Sequence, residues 1–221
     1  MPATVDLKPT LAFLGDLKRN NNKAWFDANR ARYDDAKGRF ESFVDALIAD
    51  LGKFENLAGV TAKDSTFRIN RDIRFSKDKT PYKTNMSADI APGGRRLGKQ
   101  GYYIHLAPGG ETMLAGGMYM PTPEQLSKFR SAIAADARPL KQITGNRTFV
   151  KTFGSLDGER LKTAPKGFPA DHPEIELLKM KQFVVAHRFS DKDVLSANFV
   201  GQMTATCKAL KPFLDYLNAT V

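Results

Sequence analysis

The sequence is poor in the side chains that most often bind metals or form disulfide bonds. It has one cysteine, Cys207, so no disulfide bond can form within the chain. Its three histidines, His105, His172 and His187, are far apart, and none has a second ligand three or four residues away. We therefore expect no metal site and no cofactor.

Long hydrophobic runs are also missing. No stretch approaches the roughly 20 apolar residues of a membrane-spanning helix, and the first residues lack the apolar core of a signal peptide. We expect a cytoplasmic protein with no membrane partner. The 221 residues, of which 42% are hydrophobic, can bury one sizeable core, so we predict a single domain over residues 1–221.

Acidic residues are outnumbered. The 34 lysines and arginines against 24 acids give a formal net charge of +10. A field of this sign attracts acidic partners over long distances, although a soluble protein with a basic surface is an equally simple explanation. The charge balance favours anionic small molecules or nucleic acid as partners.

The two ends of the chain show the three- and four-residue spacing of amphipathic helices. A short helix is predicted over residues 10–18, and Asn22 is placed to cap the helix that follows it. The clearest helix begins near Tyr33. Its apolar positions are Ala36, Phe40, Phe43, Val44, Leu47, Ile48 and Leu51. The last thirty residues predict another helix, which Pro212 should kink or divide.

The middle of the chain has the period of a β-sheet. Apolar residues alternate with others over residues 86–91 and again over residues 102–107, and a Pro-Gly-Gly turn follows each stretch. The segment ETMLAGGMYM completes an antiparallel meander, and Phe183 begins a further strand. Helices at both ends and an antiparallel sheet in the middle indicate an α+β fold, with N- and C-terminal helices packed on the sheet.

The segment FRINRDIRFSKDKTPYK, residues 67–83, concentrates positive charge. Over residues 67–76 its odd positions are mostly apolar, which predicts a strand that buries Phe67 and Phe75 and displays Arg68, Asp72 and Arg74. The structural alternative is a short strand that ends near Asn70 and is followed by an irregular turn. After Phe75, the run SKDKTPYK is typical of a loop.

Arg71 is the exception in this pattern, because it lies among the apolar residues. A buried guanidinium needs an acidic partner, and Asp72 faces the other way in the predicted strand. Two interpretations follow. Either the arginines form ion pairs within the protein and the lysines are solvated, or the segment binds phosphate or carboxylate groups. The second predicts these ligand-binding residues: Arg68, Arg71, Arg74, Lys77, Lys79 and Lys83.

Several phrases of the sequence together resemble a family of uncharacterised proteins found in bacteria and some fungi. They are FRINRDIRFSKDKTPYKTN (67–85), NNNKAWFDANRARYDDA (20–36), GYYIHLAPGG (101–110), GGMYMP (116–121) and PKGFPADHPEIELLKMKQFVV (165–185). The resemblance covers nearly the whole chain in order, and the motif FRI-x-RD-x-RFS-x-DK-x-PYK is long enough to be specific. The family is catalogued as a domain of unknown function, so the resemblance implies one full-length domain and no particular chemistry.

Besides an interaction scaffold, which predicts no small-molecule pocket beside Arg71, two functions are compatible with these patterns. The first is a binding protein for a phosphate-bearing ligand, a nucleotide or nucleic acid, with Arg30, Arg95 and Arg96 at the rim of the site. Tyr82, Tyr102 and Tyr103 are then candidates for stacking on bases. The second is an enzyme acting on a phosphorylated or carboxylated small molecule, with Asp72 or His105 as the acid or base.

Overall fold

The structure is a computed structural model that describes residues 5–95 and 97–221. These residues form ten helices and four strands. The helices are α1 (Lys8–Arg19), α2 (Lys23–Ala28), α3 (Arg30–Leu51), α4 (Ala62–Ser65), α5 (Pro123–Ala135), α6 (Arg138–Thr144), α7 (Arg147–Phe153), α8 (Ile175–Leu178), α9 (Asp191–Val194) and α10 (Phe199–Thr220). The strands are β1 (Met86–Ile90), β2 (Tyr102–Leu106), β3 (Thr112–Met118) and β4 (Phe183–Phe189).

The strands form one antiparallel sheet in the order β1-β2-β3-β4. In β1 and β2, Ala88 pairs with Ile104 and Asp89 pairs with Tyr103. Because successive side chains point to opposite faces, Ala88 and Ile104 are fully buried while Asp89 and Tyr103 lie on the other, partly exposed face. The predicted meander and the α+β class are therefore confirmed.

The Pro-Gly-Gly sequences form the predicted turns. Gly109 and Gly110 have φ angles of +83° and +73°, which side chains with a Cβ rarely adopt. Their amides also donate hydrogen bonds of 2.9 Å to the carboxylate of Asp191, at the start of α9. The turn after β2 thus fixes the position of the short helix that follows β4.

The chain divides into two compact units. The first comprises the described residues up to Leu114 together with Arg188–Ala205. Aromatic rings fill its core: Phe13 contacts Phe26 with 6.3 Å between ring centroids, and Phe43 stacks on Phe199 at 5.2 Å. The hydroxyl of Thr10 in α1 donates to the carbonyl of Ala36 in α3, which joins the two long helices.

The second unit comprises Ala115–His187 and Thr206–Val221. Phe129 of α5 is fully buried between Phe183, at 4.7 Å, and Tyr216, at 5.8 Å. The guanidinium of Arg130 donates to the carbonyls of Leu178 and Met180 at 2.8 and 3.0 Å, so it caps the end of α8. The prediction of a single domain over residues 1–221 stays a prediction.

The local predictions have mixed outcomes. Asn22 caps α2 as predicted, since its side chain accepts a hydrogen bond of 2.9 Å from the amide of Trp25. Pro212 does not divide the last helix, because α10 runs through it. The apolar residues on either side of the proline, Leu210 and Phe213, are fully buried, and this packing outweighs the roughly 3 kcal/mol that an interior proline costs.

Among the described residues, none of the helices has the length and apolar character needed to cross a membrane.

Candidate anion-binding site

Residues 67–83 form an irregular hairpin, here called the basic hairpin, rather than the predicted strand. Isolated bridges join Thr66 to Ala88 and Asn70 to Tyr82. The amide of Lys83 donates to the carbonyl of Ile69 at 2.8 Å, and the amide of Arg71 donates to that of Pro81 at 2.9 Å. Regular pairing ends there, so the strand predicted over residues 67–76 is wrong, and the alternative that ends near Asn70 is closer.

The basic hairpin is attached to the N-terminal helices through Tyr82. The Tyr82 side chain is 7% exposed and stacks on Phe26, with 4.0 Å between centroids and 15° between ring planes. The side-chain amide of Asn21 donates to the Tyr82 carbonyl at 2.9 Å and accepts from the Tyr82 amide at 3.1 Å. Tyr82 is therefore a packing residue and has no face available for stacking on a base.

The outer part of the hairpin, residues 71–80, is called the tip. Arg71 is the first residue of the tip, and Asp78 is the acidic partner that the sequence pattern required for it. Its guanidinium donates to the carboxylate of Asp78 and to the hydroxyl of Thr80, and it lies 3.4 Å from the hydroxyl of Ser76. The sequence pattern missed this arrangement because the acid comes from seven residues further along the loop. Arg71 therefore cross-links the tip instead of facing a ligand.

The contact between Arg71 and Asp78 leads to a prediction about the pKa of Asp78. The amide of Thr80, and next the guanidinium of Arg71, lower this pKa from 3.8 to about 2. Because a carboxyl with a lowered pKa stabilises the folded tip fully above its ordinary pKa, this contribution should decrease as the pH falls below 3.8 and be lost at about pH 2. In Arg71→Ala, the pKa of Asp78 should rise towards 3.8, measured by an NMR pH titration of the side-chain carboxyls.

Asp136 is the control in the same titration. Its pKa is also about 2, held there by Arg138, which lies in the other unit and is unaffected by the substitution. An unchanged pKa of Asp78 in Arg71→Ala would contradict the assignment of Arg71 as the cross-link of the tip.

The other charged residues of the tip are exposed. Arg74 forms a two-bond ion pair with Asp72, at 2.9 and 2.7 Å, and this pair lowers the pKa of Asp72. An exposed carboxyl that is paired and ionised at neutral pH is a weak general base, which makes Asp72 a poor catalytic candidate. The ammonium of Lys79 donates to the carbonyl of Ile73 at 3.0 Å, and Lys77 is exposed.

A cleft of about 340 Å³ lies at the base of the hairpin, next to α3 and β1. Four cationic side chains line it: Lys37, Lys63, Arg68 and Arg95. We call this space the basic cleft. The Lys37 ammonium lies 3.5 Å from Glu41, which also lines the cleft. Within residues 5–95 and 97–221, no ion pair involves Arg68, Arg95 or Lys63.

Phe67 forms the aromatic wall of the basic cleft. The guanidinium of Arg95 lies 4.7 Å from the centroid of its ring, and the ammonium of Lys83 lies 5.6 Å from it. Lys83 also donates to the carbonyl of Arg68 at 2.9 Å. Burial lowers the pKa of Lys83, and the positive charges of Arg68 and Arg95 lower it further. Lys83 and Arg95 thus lie over one aromatic ring, and the positive charge of Arg68 also acts on Lys83.

Two more polar groups lie near these cations. The hydroxyl of Thr66 lines the cleft, is buried, and has no hydrogen-bond partner among the described residues. Asp89 lies on β1 with its pKa raised to about 6 by burial, while the charge of Arg95 acts in the opposite direction. The cleft therefore contains an unused donor and lies close to a carboxyl that is readily neutralised.

His105 lies on the same face of the sheet as Asp89. Its ring is 6.3 Å from Tyr103, and Tyr103 is 6.2 Å from Phe67. Burial lowers the pKa of His105, whereas the nearby Glu111 raises it. Asp72 and His105, the two catalytic candidates from the sequence, have different contacts and do not form one site.

Among the described residues, no three His, Cys, Asp or Glu side chains lie close enough together to hold a metal ion.

Comparison with known proteins gives one match. The family model described as conserved hypothetical protein (DUF2461) matches residues 9–216, nearly the whole chain. The chain belongs to this family. A search of curated proteins and a search of solved structures each find no match to the chain. The resemblance drawn from the sequence phrases is thus confirmed.

In this DUF2461 protein, the structure separates the predicted site residues into two groups. Arg68 lines the cleft together with Arg95, which was placed at the rim, and Lys83 contacts the carbonyl of Arg68. The tip contains the other four: Arg71, Arg74, Lys77 and Lys79.

The other residues that the sequence analysis named for this site are accounted for as follows. Arg30 pairs with Asp34 at 3.2 Å and lies over the ring of Tyr33. The hydroxyl of the buried Tyr102 donates to Glu55, so this ring is also unavailable for stacking. Arg96 lies outside the described residues.

Sequence reasoning missed Lys37, Lys63 and Asp89. Lys37 and Lys63 belong to distant segments whose position relative to Arg68 depends on tertiary structure. The sequence did contain a signal for Asp89. This carboxyl lies between two apolar residues of a predicted strand, and side chains alternate between the two faces of a strand, so its position places it on the face opposite those residues.

Proposed function

We propose that this protein binds a phosphate-bearing ligand, a nucleotide or nucleic acid, in the basic cleft. The observation that supports this proposal most strongly is the group of Arg68, Lys83 and Arg95 around Phe67. The three cations lie close together, Lys83 among them is partly desolvated, and no ion pair within the described part of the chain involves them. Elsewhere, exposed arginines such as Arg74 and Arg138 have carboxylate partners.

Repulsion among these cations explains why an anion would bind. The pKa of Lys83 is lowered first by burial and then by the positive charges of Arg68 and Arg95. A bound anion reverses this effect, since it offers each cation an opposite charge in a partly desolvated site. Binding should therefore raise the pKa of Lys83 towards its ordinary value.

The geometry favours phosphate over a simple carboxylate. Arginine side chains present fork-shaped donors that match phosphate oxygens, and a phosphate has enough acceptors for Arg68 and Arg95 at once. A volume of about 340 Å³ is within the range of small-molecule sites. Phe67 supplies the apolar wall that such sites commonly contain.

The test is a binding titration with ATP and with a fluorescein-labelled single-stranded oligothymidylate of about 12 nucleotides. Arg68→Ala and Arg95→Ala should each weaken binding of both ligands roughly tenfold, because each change removes a charge-assisted contact. For the oligothymidylate, log affinity should fall linearly with log salt concentration, by about 0.7 for each phosphate neutralised.

Arg138→Ala is the matched control. Arg138 forms the same two-bond pair with the carboxylate two residues earlier as Arg74 does, but it lies in the second unit. Its removal should leave both affinities unchanged. If neither ligand binds at low salt, or if all three alanine variants bind alike, the basic cleft is not a phosphate site.

A further inference from the structure

Phe75 lies at the end of the basic hairpin and is 95% exposed. The sequence pattern placed it in the core, so its exposure requires an explanation. A phenylalanine in solvent loses the favourable free energy that burial would give, and a flexible loop would fold over such a ring to cover part of it. The tip does not do this.

Internal contacts of the tip hold Phe75 away from the protein surface. Arg71 binds Asp78 and Thr80 across the loop, and the carbonyl of Ile73 accepts from the ammonium of Lys79 at 3.0 Å. The same carbonyl accepts from the amide of Ser76 at 3.3 Å. These bonds fix the backbone on both sides of Phe75, so the exposed ring is preorganised for a partner and loses little conformational freedom on binding.

The hairpin connects this ring to the basic cleft. Arg68 and Lys83 lie at its base, and Phe75 is six positions after Ile69, so the Cα atoms of Ile69 and Phe75 are at most about 20 Å apart. The tip contributes four cations and two acids, a net charge of +2. A single strand of several nucleotides is long enough to reach from the cleft to the ring.

We propose that the ligand of the basic cleft is single-stranded nucleic acid, with its phosphates along the basic hairpin and one unpaired base stacked on Phe75. This inference rests on the proposed function of the cleft. Aromatic side chains combined with a positively charged groove are the usual means of binding single strands, since every base offers a flat face. A base inside a duplex is already stacked on both sides and offers none.

A membrane surface fits the tip less well. Phe75 stands between Asp72 and Asp78, and both carboxylates are ionised at neutral pH because arginines and backbone amides lower their pKa values. Insertion of the ring among acyl chains would carry these charged side chains into the interfacial layer of the bilayer, and a single exposed ring buries little apolar area in return. Stacking on a single base requires only that the face of the ring meet the face of the base.

The test compares Phe75 variants in the same two titrations. Phe75→Ala and Phe75→Leu should each weaken binding of the oligothymidylate about tenfold and leave ATP binding unchanged, whereas Phe75→Tyr should keep the original affinity for both. The leucine variant separates stacking from simple apolar contact. Because Phe75 makes few contacts within the fold, all three variants should keep the melting temperature of the original protein.

The possible results distinguish the two proposals. Loss of oligothymidylate binding in Phe75→Ala, with ATP binding intact, supports the inference. Equal binding by the alanine variant, equal or tighter binding of a duplex of the same length, or Phe75-dependent binding of anionic phospholipid vesicles without oligothymidylate binding overturns it. If Arg68→Ala weakens ATP binding while Phe75 has no effect, the inference fails and the proposed function stands. If no phosphate ligand binds, the proposed function itself fails.

Discussion

Replacing Tyr82 by alanine is expected to lower the free energy of unfolding by about 3–5 kcal/mol, the usual cost of deleting a large buried aromatic side chain. The ring is 7% exposed and stacks on Phe26, so its removal leaves a cavity between the hairpin and α2. The Asn21 contacts to the Tyr82 backbone would remain but would no longer be backed by packing. Urea denaturation, followed by circular dichroism, measures the change.

Two further variants show whether loss of the Tyr82 ring causes the change in the free energy of unfolding. Tyr82→Phe keeps the packing surface, so its free energy of unfolding should stay within about 1 kcal/mol of the original value. Tyr119→Ala removes a tyrosine that is 71% exposed and should have a similarly small effect. Near-original stability of Tyr82→Ala would mean that the hairpin is not held by this contact.

Replacing Asp89 by asparagine is expected to stabilise the protein by about 1–3 kcal/mol at pH 7. Burial raises the pKa of this carboxyl to about 6, so ionisation above that pH is disfavoured in the folded state. Each pKa unit corresponds to about 1.4 kcal/mol, and partial solvent access reduces the total. Asparagine has nearly the same shape and carries no charge.

The direction in which stability changes with pH follows from the difference in proton binding between the folded and unfolded states. Between about pH 4 and pH 6 the folded state binds more protons at Asp89 than the unfolded state, so stability falls as the pH rises through this range. The increase in the free energy of unfolding caused by Asp89→Asn should therefore reach its full size above about pH 6 and disappear below about pH 4. Denaturation curves at pH 4, 5, 6 and 7 test this, with Asp171→Asn as an exposed control. A gain that does not depend on pH would show that the pKa of Asp89 is not raised.

Sequence patterns predicted most of the fold because the relevant signals were local. The apolar spacing from Tyr33 to Leu51 and the alternation around Ala88 and Ile104 each require only near neighbours to interpret. Pro212 did not divide the last helix because burial of the neighbouring apolar side chains offsets the local cost of the proline. This burial depends on residues far away in the chain, which a sequence window does not include.

The basic segment was harder to interpret because its alternation of apolar and polar residues does not come from a continuous strand. Phe67 and Ile69 do alternate near β1, but beyond Asn70 the backbone conformation is set by the contacts of Arg71 with Asp78 and Thr80. Cross-links within a loop leave no periodic signal in the sequence. The exposed position of Phe75 therefore followed only from the structure.

The cleft illustrates the same limit for function. Local charge density identified Arg68 and Lys83, and Arg95 was placed at the rim of the site. Lys37 and Lys63 come from α3 and α4, and nothing in the sequence near them indicates a shared site. The arrangement around Phe67, which supports the proposed function, depends on contacts between segments far apart in the chain.

A crystal structure of the protein with the oligothymidylate tests the central claim most directly. We expect phosphate oxygens within about 2.7–3.2 Å of the guanidinium groups of Arg68 and Arg95, beside the ring of Phe67. Phosphate density at other cations, with the basic cleft of the same molecules lacking it, would contradict the account.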